Sequence, residues 1–199
     1  MQKELVYMSN HIDFYFDIIS PYAYIAHKKI LKHKNITFNY KPIYLGGLHK
    51  LAGIDSPAFN KYKLRNNIND CNLVSKKNNI EFKWNSNFPI NSLNIMRGYI
   101  SVSKDKQNDY VNYFFDAYWK DNYDLSKIEN ISKLISELNI DSEEFFQSIK
   151  EQSVKDKLIK FTTDAFQKEV FGTPTFIVNN KIFWGQDRLE YALEEIGTN

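Results

Sequence analysis

The stretch of sequence that decides the fold is HIDFYFDIISPYAYI, residues 11–25. Over residues 12–18 apolar and polar side chains alternate, which is the period of a β-strand with one buried face. Ser20 and Pro21 follow at once. Serine is a favoured N-cap residue, and proline is favoured at the first position of a helix. The stretch therefore predicts a strand that passes directly into a helix beginning at Pro21.

A second strand is expected soon after that helix. The helix ends in the basic run Lys32-His33-Lys34, and positive charge suits a helix C-terminus. Apolar residues then alternate at Ile36, Phe38 and Tyr40, and Pro42 ends the pattern. A strand, a helix and a second strand in this order normally form a right-handed parallel unit.

Strand signals return only near the C-terminal end. Residues 175–178 and 181–184 are β-prone, and Asn179-Asn180 between them suits a two-residue hairpin turn. Asp187 is expected to cap a final helix. Between the two ends, apolar residues recur at helical spacing, so residues 47–165 are predicted to be helical throughout.

The two ends together make a small α/β unit, and the helical middle is an insertion. The predicted fold is therefore α/β, a thioredoxin-like fold with an inserted all-helical domain. We place the thioredoxin-like domain at residues 11–46 and 166–199, the inserted helical domain at 47–165, and a loose leader at 1–10.

Composition excludes several classes of function. The formal net charge of +2 is too small to indicate a nucleic-acid partner. The single cysteine, Cys71, cannot form an internal disulfide, and no signal peptide or membrane-spanning run is seen. These features favour a cytoplasmic protein without a membrane partner. The four histidines show no metal-ligand spacing with one another or with Cys71, so no metal is predicted.

Ser20 is the first candidate functional residue. In open α/β sheets ligands collect at the carboxyl ends of the strands, where Ser20 is expected to lie. The N-terminus of a helix stabilises negative charge, so a bound thiolate would have a lowered pKa there. Serine cannot perform disulfide exchange, but it can donate a hydrogen bond to the thiolate of a ligand. The alternative is that Ser20 only caps the helix.

Two later segments add to this hypothesis. Thr173-Pro174 enters a predicted strand, and a cis peptide bond there would turn the backbone of Thr173 towards an extended peptide ligand. The alternative is an ordinary trans proline. Gly185 allows a close approach to a ligand, and Gln186-Asp187 open a helix whose N–H groups suit a carboxylate. Asp187 also suits an amine, or is a simple cap.

At these residues the chain resembles a known family, the 2-hydroxychromene-2-carboxylate isomerases and the related kappa-class glutathione transferases of the DsbA-like thioredoxin superfamily. The resemblance covers nearly the whole chain after residue 10. It rests on three main motifs and a weaker one: Asp13–Asp17 with Ser20-Pro21-Tyr22 and Tyr24; Phe171–Phe176; Trp184–Leu189; and, more weakly, Phe88-Pro89, Asn91 and Arg97.

The resemblance implies a glutathione-dependent isomerase. Ser20 would activate the glutathione thiol, which would add to an unsaturated carbon of the substrate and leave again after ring opening and bond rotation. Thr173 and Pro174 would hold the cysteinyl part of glutathione, and Trp184, Gly185, Gln186 and Asp187 the γ-glutamyl end. The aromatic substrate would have as neighbours Lys50, Asn60 and Asn91. A homodimer is also implied.

The chain departs from the family pattern at two positions. Ile54 stands where the family often has asparagine, which puts the identity of the substrate in doubt. Thr173 replaces valine or leucine, which matters little if only its backbone is used.

Other functions stay open beside the isomerase. The same site would serve a glutathione transferase that acts on electrophiles, and a non-catalytic binding protein of the same fold is a further alternative. A disulfide oxidoreductase is disfavoured because Ser20-Pro21-Tyr22-Ala23 lacks the required cysteine pair.

Overall fold

The computed structural model describes residues 11–197. The predicted leader at 1–10 and the last two residues lie outside the described residues. Four strands form one mixed sheet in the order β2-β1-β3-β4: β1 (His11–Phe16), β2 (Thr37–Pro42), β3 (Thr175–Val178) and β4 (Lys181–Trp184). Strands β1 and β2 are parallel, β3 is antiparallel to β1, and β4 is antiparallel to β3. This is the α/β, thioredoxin-like arrangement that the sequence predicts.

The helices follow in chain order: α1 (Pro21–Ile30), α2 (Leu45–Ala52), α3 (Lys61–Lys77), α4 (Leu93–Ser101), α5 (Gln107–Trp119), α6 (Ile128–Glu137), α7 (Ser142–Ser148), α8 (Gln152–Gln167) and α9 (Leu189–Gly197). Short 3₁₀ turns lie at Pro57–Phe59 and Gln186–Arg188. All the helices between β2 and β3 come from the middle of the chain, as expected.

Local signals at several element ends are confirmed. Ser20 is the N-cap of α1, and its side chain accepts a hydrogen bond from the Ala23 N–H. Asn179 and Asn180 connect β3 to β4 with φ of 49° and 61°, the left-handed conformation that a two-residue hairpin turn requires. The turn residues therefore fix the hairpin register.

Two expectations about helices are wrong. The segment 78–92 is not helical, because its aromatic residues Phe82, Trp84 and Phe88 pack individually around Trp119 rather than along one helix face. Asp187 does not cap α9, because it lies inside the 3₁₀ turn that precedes this helix. Sequence periodicity cannot show either feature, since both depend on contacts from elsewhere in the chain.

The sheet has packed side chains on both faces. The larger core joins Phe14, Phe16 and Phe176 of the sheet to the helical middle through Phe115 and Trp119. A smaller core on the other face joins Tyr15 to Leu48 of α2 and Ala165 of α8. Packing is thus continuous across the predicted domain boundaries, and the division into two domains stays a prediction.

Candidate active site

A cleft of about 740 Å³ lies where β1 ends and α1 begins. One wall, here called the sheet side, consists of Ile19–Pro21, Phe171–Thr173 and Trp184. The rest of the lining, here called the helical side, comes from residues 44–92, most of which belong to the predicted helical insertion. Its residues are 44–46, His49, 54–59, Lys63, Asn67, Trp84 and 88–92. The cleft therefore joins the two predicted parts of the fold.

Ser20 lies on the sheet side at the N-terminus of α1, and 4% of its surface is exposed. Its hydroxyl donates a hydrogen bond to the Thr173 carbonyl oxygen at 3.0 Å and accepts one from the Ala23 N–H at 3.2 Å. Pro21 has no N–H to offer, and the Tyr22 N–H has no hydrogen-bond partner among residues 11–197. The Ser20 hydroxyl is thus a donor in the cleft, and the Tyr22 N–H lies two residues further along the same helix start.

The junction before Ser20 is held from the helical middle. The Trp119 indole N–H donates to the Ile18 carbonyl at 2.8 Å, and the Ile18 N–H points at the Met96 sulfur at 3.5 Å. All three residues are buried. The position of Ser20 therefore depends on side chains far away in the sequence.

Asp17 lies under the same junction and is fully buried. Its carboxylate accepts hydrogen bonds from the Ile19 N–H at 3.1 Å, the Leu45 N–H at 2.8 Å and the Ser92 hydroxyl at 2.9 Å. Burial raises the pKa of Asp17 to about 6, and these three donors oppose the rise because they favour the ionised form.

The Thr173-Pro174 segment faces Ser20 directly. Its peptide bond is cis, the isomer that the sequence argument considered for a ligand-facing backbone. The Gly185 N–H donates to the Pro174 carbonyl at 2.9 Å, and the Thr175 hydroxyl donates to the Gly172 carbonyl at 2.7 Å. The Thr173 N–H has no partner within the described part of the chain, and its buried hydroxyl has none either.

The segment after β4 only partly reaches the cleft. Trp184 lines it and packs on Phe171 with ring centroids 4.9 Å apart. Gly185 is in a left-handed conformation with φ of 113°, which favours glycine. Gln186 is buried, and its side-chain oxygen accepts from Lys29 at 2.6 Å. Asp187 forms an exposed ion pair with Arg188 at 3.3 Å.

The helical side contains one of the three predicted substrate neighbours. Asn91 lines the cleft, and its side-chain oxygen accepts from the Leu93 N–H at 2.9 Å. Lys50 and Asn60 are exposed and do not line it. Asn60 instead caps α3, accepting from the Tyr62 and Lys63 N–H groups, because asparagine satisfies free N–H groups at a helix start.

Sequence reasoning missed the polar residues that do line the helical side. Lys63 and Asn67 of α3 and His49 of α2 face the cleft. Partial burial lowers the pKa of His49, which favours its neutral form. Since Lys63 follows the Asn60 cap by three residues, a helical reading of α3 could have placed it near the site. The position of the irregular segment 84–92 has no such local signal.

Two further classes of site are absent from the residues that the structure describes. Over residues 11–197 no three side chains among histidine, cysteine, aspartate and glutamate come together as metal ligands. No helix in this range is both long enough and apolar enough to span a membrane.

Comparison with known proteins identifies the family of the chain. The family model of the DSBA-like thioredoxin domain matches residues 11–197, so the chain belongs to the DsbA-like thioredoxin family. A curated 2-hydroxychromene-2-carboxylate isomerase from Sphingobium xenophagum is 24% identical over 92% of this chain and 96% of its own length.

A solved structure of a 2-hydroxychromene-2-carboxylate isomerase superposes with a TM-score of 0.86 at 25% identity, covering 94% of both chains. Glutathione S-transferase kappa 1 of Caenorhabditis elegans is 47% identical over 51 residues, which is 24% of this chain and 23% of its own. The resemblance read from the motifs is thereby confirmed.

Proposed function

We propose that this DsbA-like protein is a glutathione-dependent isomerase of the 2-hydroxychromene-2-carboxylate isomerase type, in which Ser20 activates the glutathione thiol. One observation carries the proposal: the buried Ser20 hydroxyl lies at a helix N-terminus, 3.0 Å from the Thr173 carbonyl, at the end of a mainly apolar cleft. Two of the relatives that match almost the full chain, the Sphingobium xenophagum protein and the solved structure with a TM-score of 0.86, bear the name of this isomerase.

The donors on the sheet side and at the adjoining start of α1 fit glutathione. The Tyr22 and Thr173 N–H groups lack protein partners among residues 11–197, and such groups suit a peptide-like ligand. A Cβ added at Gly172 would come within 2.8 Å of the Trp184 indole nitrogen, so glycine allows this ring to approach the loop closely. An anionic sulfur at the α1 terminus would meet the Ser20 hydroxyl as a donor once that hydroxyl turns away from the Thr173 carbonyl.

In this proposal Ser20, Thr173, Pro174 and Trp184 bind and activate glutathione. Glutathione, when bound, supplies the nucleophilic sulfur that adds to the substrate and is later released. Ser20 turns its hydroxyl proton from the Thr173 carbonyl to that sulfur and, with the α1 terminus, lowers the thiol pKa. The backbone of Thr173 and Pro174 aligns the ligand. Trp184 covers it.

The remaining predicted glutathione contacts take more specific roles. Gln186 acts through its backbone, since its side chain is bound to Lys29. Gly185 and Asp187 stay proposed neighbours of the γ-glutamyl group. On the helical side Asn91 and Lys63 would hold the substrate carboxylate, because an amide N–H and an ammonium group both bind carboxylates. Lys63 thus takes the role that the sequence assigned to Lys50.

The decisive experiment replaces Ser20 with alanine. We expect glutathione-dependent turnover of 2-hydroxychromene-2-carboxylate to fall by about 10²–10³-fold, the usual effect of removing a key donor. Asp141→Ala is the matched control, since Asp141 caps α7 through the Glu144 N–H outside the cleft. Both variants should lose about 1 kcal/mol of stability, and turnover should fall only in S20A. Unchanged turnover in S20A would overturn the proposal.

A glutathione transferase acting on electrophiles is the second candidate. The local match to the kappa-class transferase favours it. Release of a glutathione conjugate, seen by mass spectrometry, would identify the transferase, whereas recovery of free glutathione with isomerised product would identify the isomerase. Absence of glutathione binding in calorimetry would instead indicate a non-catalytic binding protein. The cytoplasmic location and the homodimer remain predictions. Cell fractionation tests the first, and analytical sedimentation tests the second.

A further inference from the structure

The buried Asp17 carboxylate joins three segments that all line the cleft. Its Oδ1 atom accepts from the Ile19 N–H, and its Oδ2 atom accepts from the Leu45 N–H and the Ser92 hydroxyl. Ile19 belongs to the sheet side, whereas Leu45 and Ser92 belong to the helical side. One side chain therefore connects the position of Ser20 to two parts of the helical side.

The arrangement of donors requires the ionised carboxylate. Three hydrogen atoms point at two oxygen atoms, so a proton or an amide group on Asp17 would face at least one competing donor. No charged residue contributes to the raised pKa of Asp17, which comes from burial. The titratable neighbours next to or on α2 are Tyr44, whose pKa is raised by burial and by Asp17, and His49, whose pKa is lowered by burial.

We infer that Asp17 is a positioning residue that, in its ionised form, sets the separation between Ser20 and the substrate-binding wall. This inference rests on the proposed function. When Asp17 is protonated or replaced by asparagine, one of the three segments loses its acceptor. The glutathione-holding atoms keep their other contacts, so the loss falls on the alignment of the two reactants.

The first test is Asp17→Asn, with Asp13→Asn as the matched control. Asp13 is on β1, the strand that Asp17 follows, and is largely covered, but it pairs with Asn39 and Lys41 outside the cleft. We expect D17N to lower kcat/KM for the isomerisation by at least about tenfold and to change the glutathione dissociation constant by less than about threefold. D13N should leave both unchanged.

The second test is the pH profile, which a merely structural role would not move. The wild type should lose kcat/KM as the pH falls through about 6, following Asp17. Ser92→Ala removes a donor to the carboxylate and should shift this limb upwards by about 0.5–1 pH unit. Ser92→Thr should restore it. Ser101→Ala is the control. It removes a hydroxyl at the other end of α4, where Ser101 donates to the Gly98 carbonyl, and it should leave the acid limb of the kcat/KM profile unchanged.

Glutathione thiol ionisation is followed separately by the ultraviolet absorbance of the thiolate in the binary complex, and S92A should leave this titration in place. The inference alone would be overturned if S92A left the acid limb of the kcat/KM profile at the wild-type pH. It would also be overturned if D17N lost thermal stability while kcat/KM stayed within about twofold of the wild type. A wild type that shows no glutathione-dependent turnover would overturn the proposed function, and the inference with it.

Discussion

The two sides of the cleft are built in different ways. The sheet side is made of short segments at the ends of β1, β3 and β4, where backbone groups of Thr173 lie beside the Ser20 and Trp184 side chains. The helical side is made of side chains from α2, α3 and the irregular segment 84–92. Backbone contacts tolerate substitution, whereas side-chain contacts change with each residue. We therefore expect the sheet side to determine glutathione use and the helical side to determine the substrate.

His27 tests whether the two parts unfold as one unit. Its ring lies between the Tyr40 hydroxyl of β2 and the Asn112 side chain of α5, both at 2.7 Å. Burial lowers the pKa of His27 to about 4, so the unfolded chain binds more protons between about pH 6.5 and 4. Stability from the neutral ring is complete above that range and is lost as the pH falls.

Relative to His27→Gln, the wild type should lose about 3 kcal/mol of unfolding free energy over this range. The measurement is urea unfolding at both limits, monitored by tryptophan fluorescence and circular dichroism. Asp17 acts with the opposite sign, because its raised pKa adds stability as the pH falls through about 6, and its effect cancels in the difference. Two separate unfolding transitions would show that the His27 contacts do not couple the thioredoxin-like part to the helical part.

Trp184→Ala addresses the sheet side. The indole is 53% exposed, so its loss should hardly affect stability. We expect the glutathione dissociation constant to rise about tenfold, because a large aromatic contact is removed, while KM for the substrate at saturating glutathione stays nearly constant. Tyr191→Ala, equally exposed on α9, is the control for calorimetry. A change in substrate KM alone would contradict the assignment of the sides.

Phe59→Ala addresses the helical side. Phe59 lines the cleft and is 82% exposed, so it contributes little to the core. We expect KM for an aromatic substrate to rise about fivefold, from lost apolar contact, with unchanged glutathione affinity. Leu73→Ala on an exposed part of α3 serves as the control in the same steady-state assay. If Phe59→Ala weakened glutathione binding and left KM for the substrate unchanged, the roles assigned to the two sides would be wrong.

Thr173→Val separates backbone from side chain on the sheet side. The buried Thr173 hydroxyl has no hydrogen-bond partner in the described residues, and such a group is destabilising. We expect the variant to gain about 0.5–1 kcal/mol in urea unfolding, with glutathione affinity unchanged in calorimetry. Weaker glutathione binding would show that the hydroxyl, and not only the backbone, takes part.

The sequence predicts the sheet side better than the helical side for a physical reason. Ser20, Asn179-Asn180 and the strand alternation are local signals, since caps, turns and the two-residue period act within a few residues. Asp17 shows what local signals cannot predict. The strand alternation places this residue on the polar face, yet the structure buries it fully. Its burial depends on Leu45 and Ser92, and one sequence without spatial neighbours cannot reveal such a contact.

The helical side gives weaker signals because its residues act through tertiary packing. The family resemblance implies Lys50 and Asn60 as substrate neighbours, whereas the fold presents Lys63 and Asn67 to the cleft. The non-helical segment 78–92 is specified by ring contacts with Trp119, which is distant in the chain. The sequences on either side of this segment have helical periodicity, so the pattern predicts a helix through the segment as well.

The hydrogen bond from Ser20 to the Thr173 carbonyl has a consequence for selectivity. A ligand at Ser20 must exchange this carbonyl for itself as the acceptor, so the net gain is a difference between two acceptors. A neutral ether or alcohol gains almost nothing from the exchange, whereas an anion gains a charge-assisted bond. Under the proposed function, the resting hydroxyl therefore favours ligands that arrive as, or readily become, anions over neutral ligands.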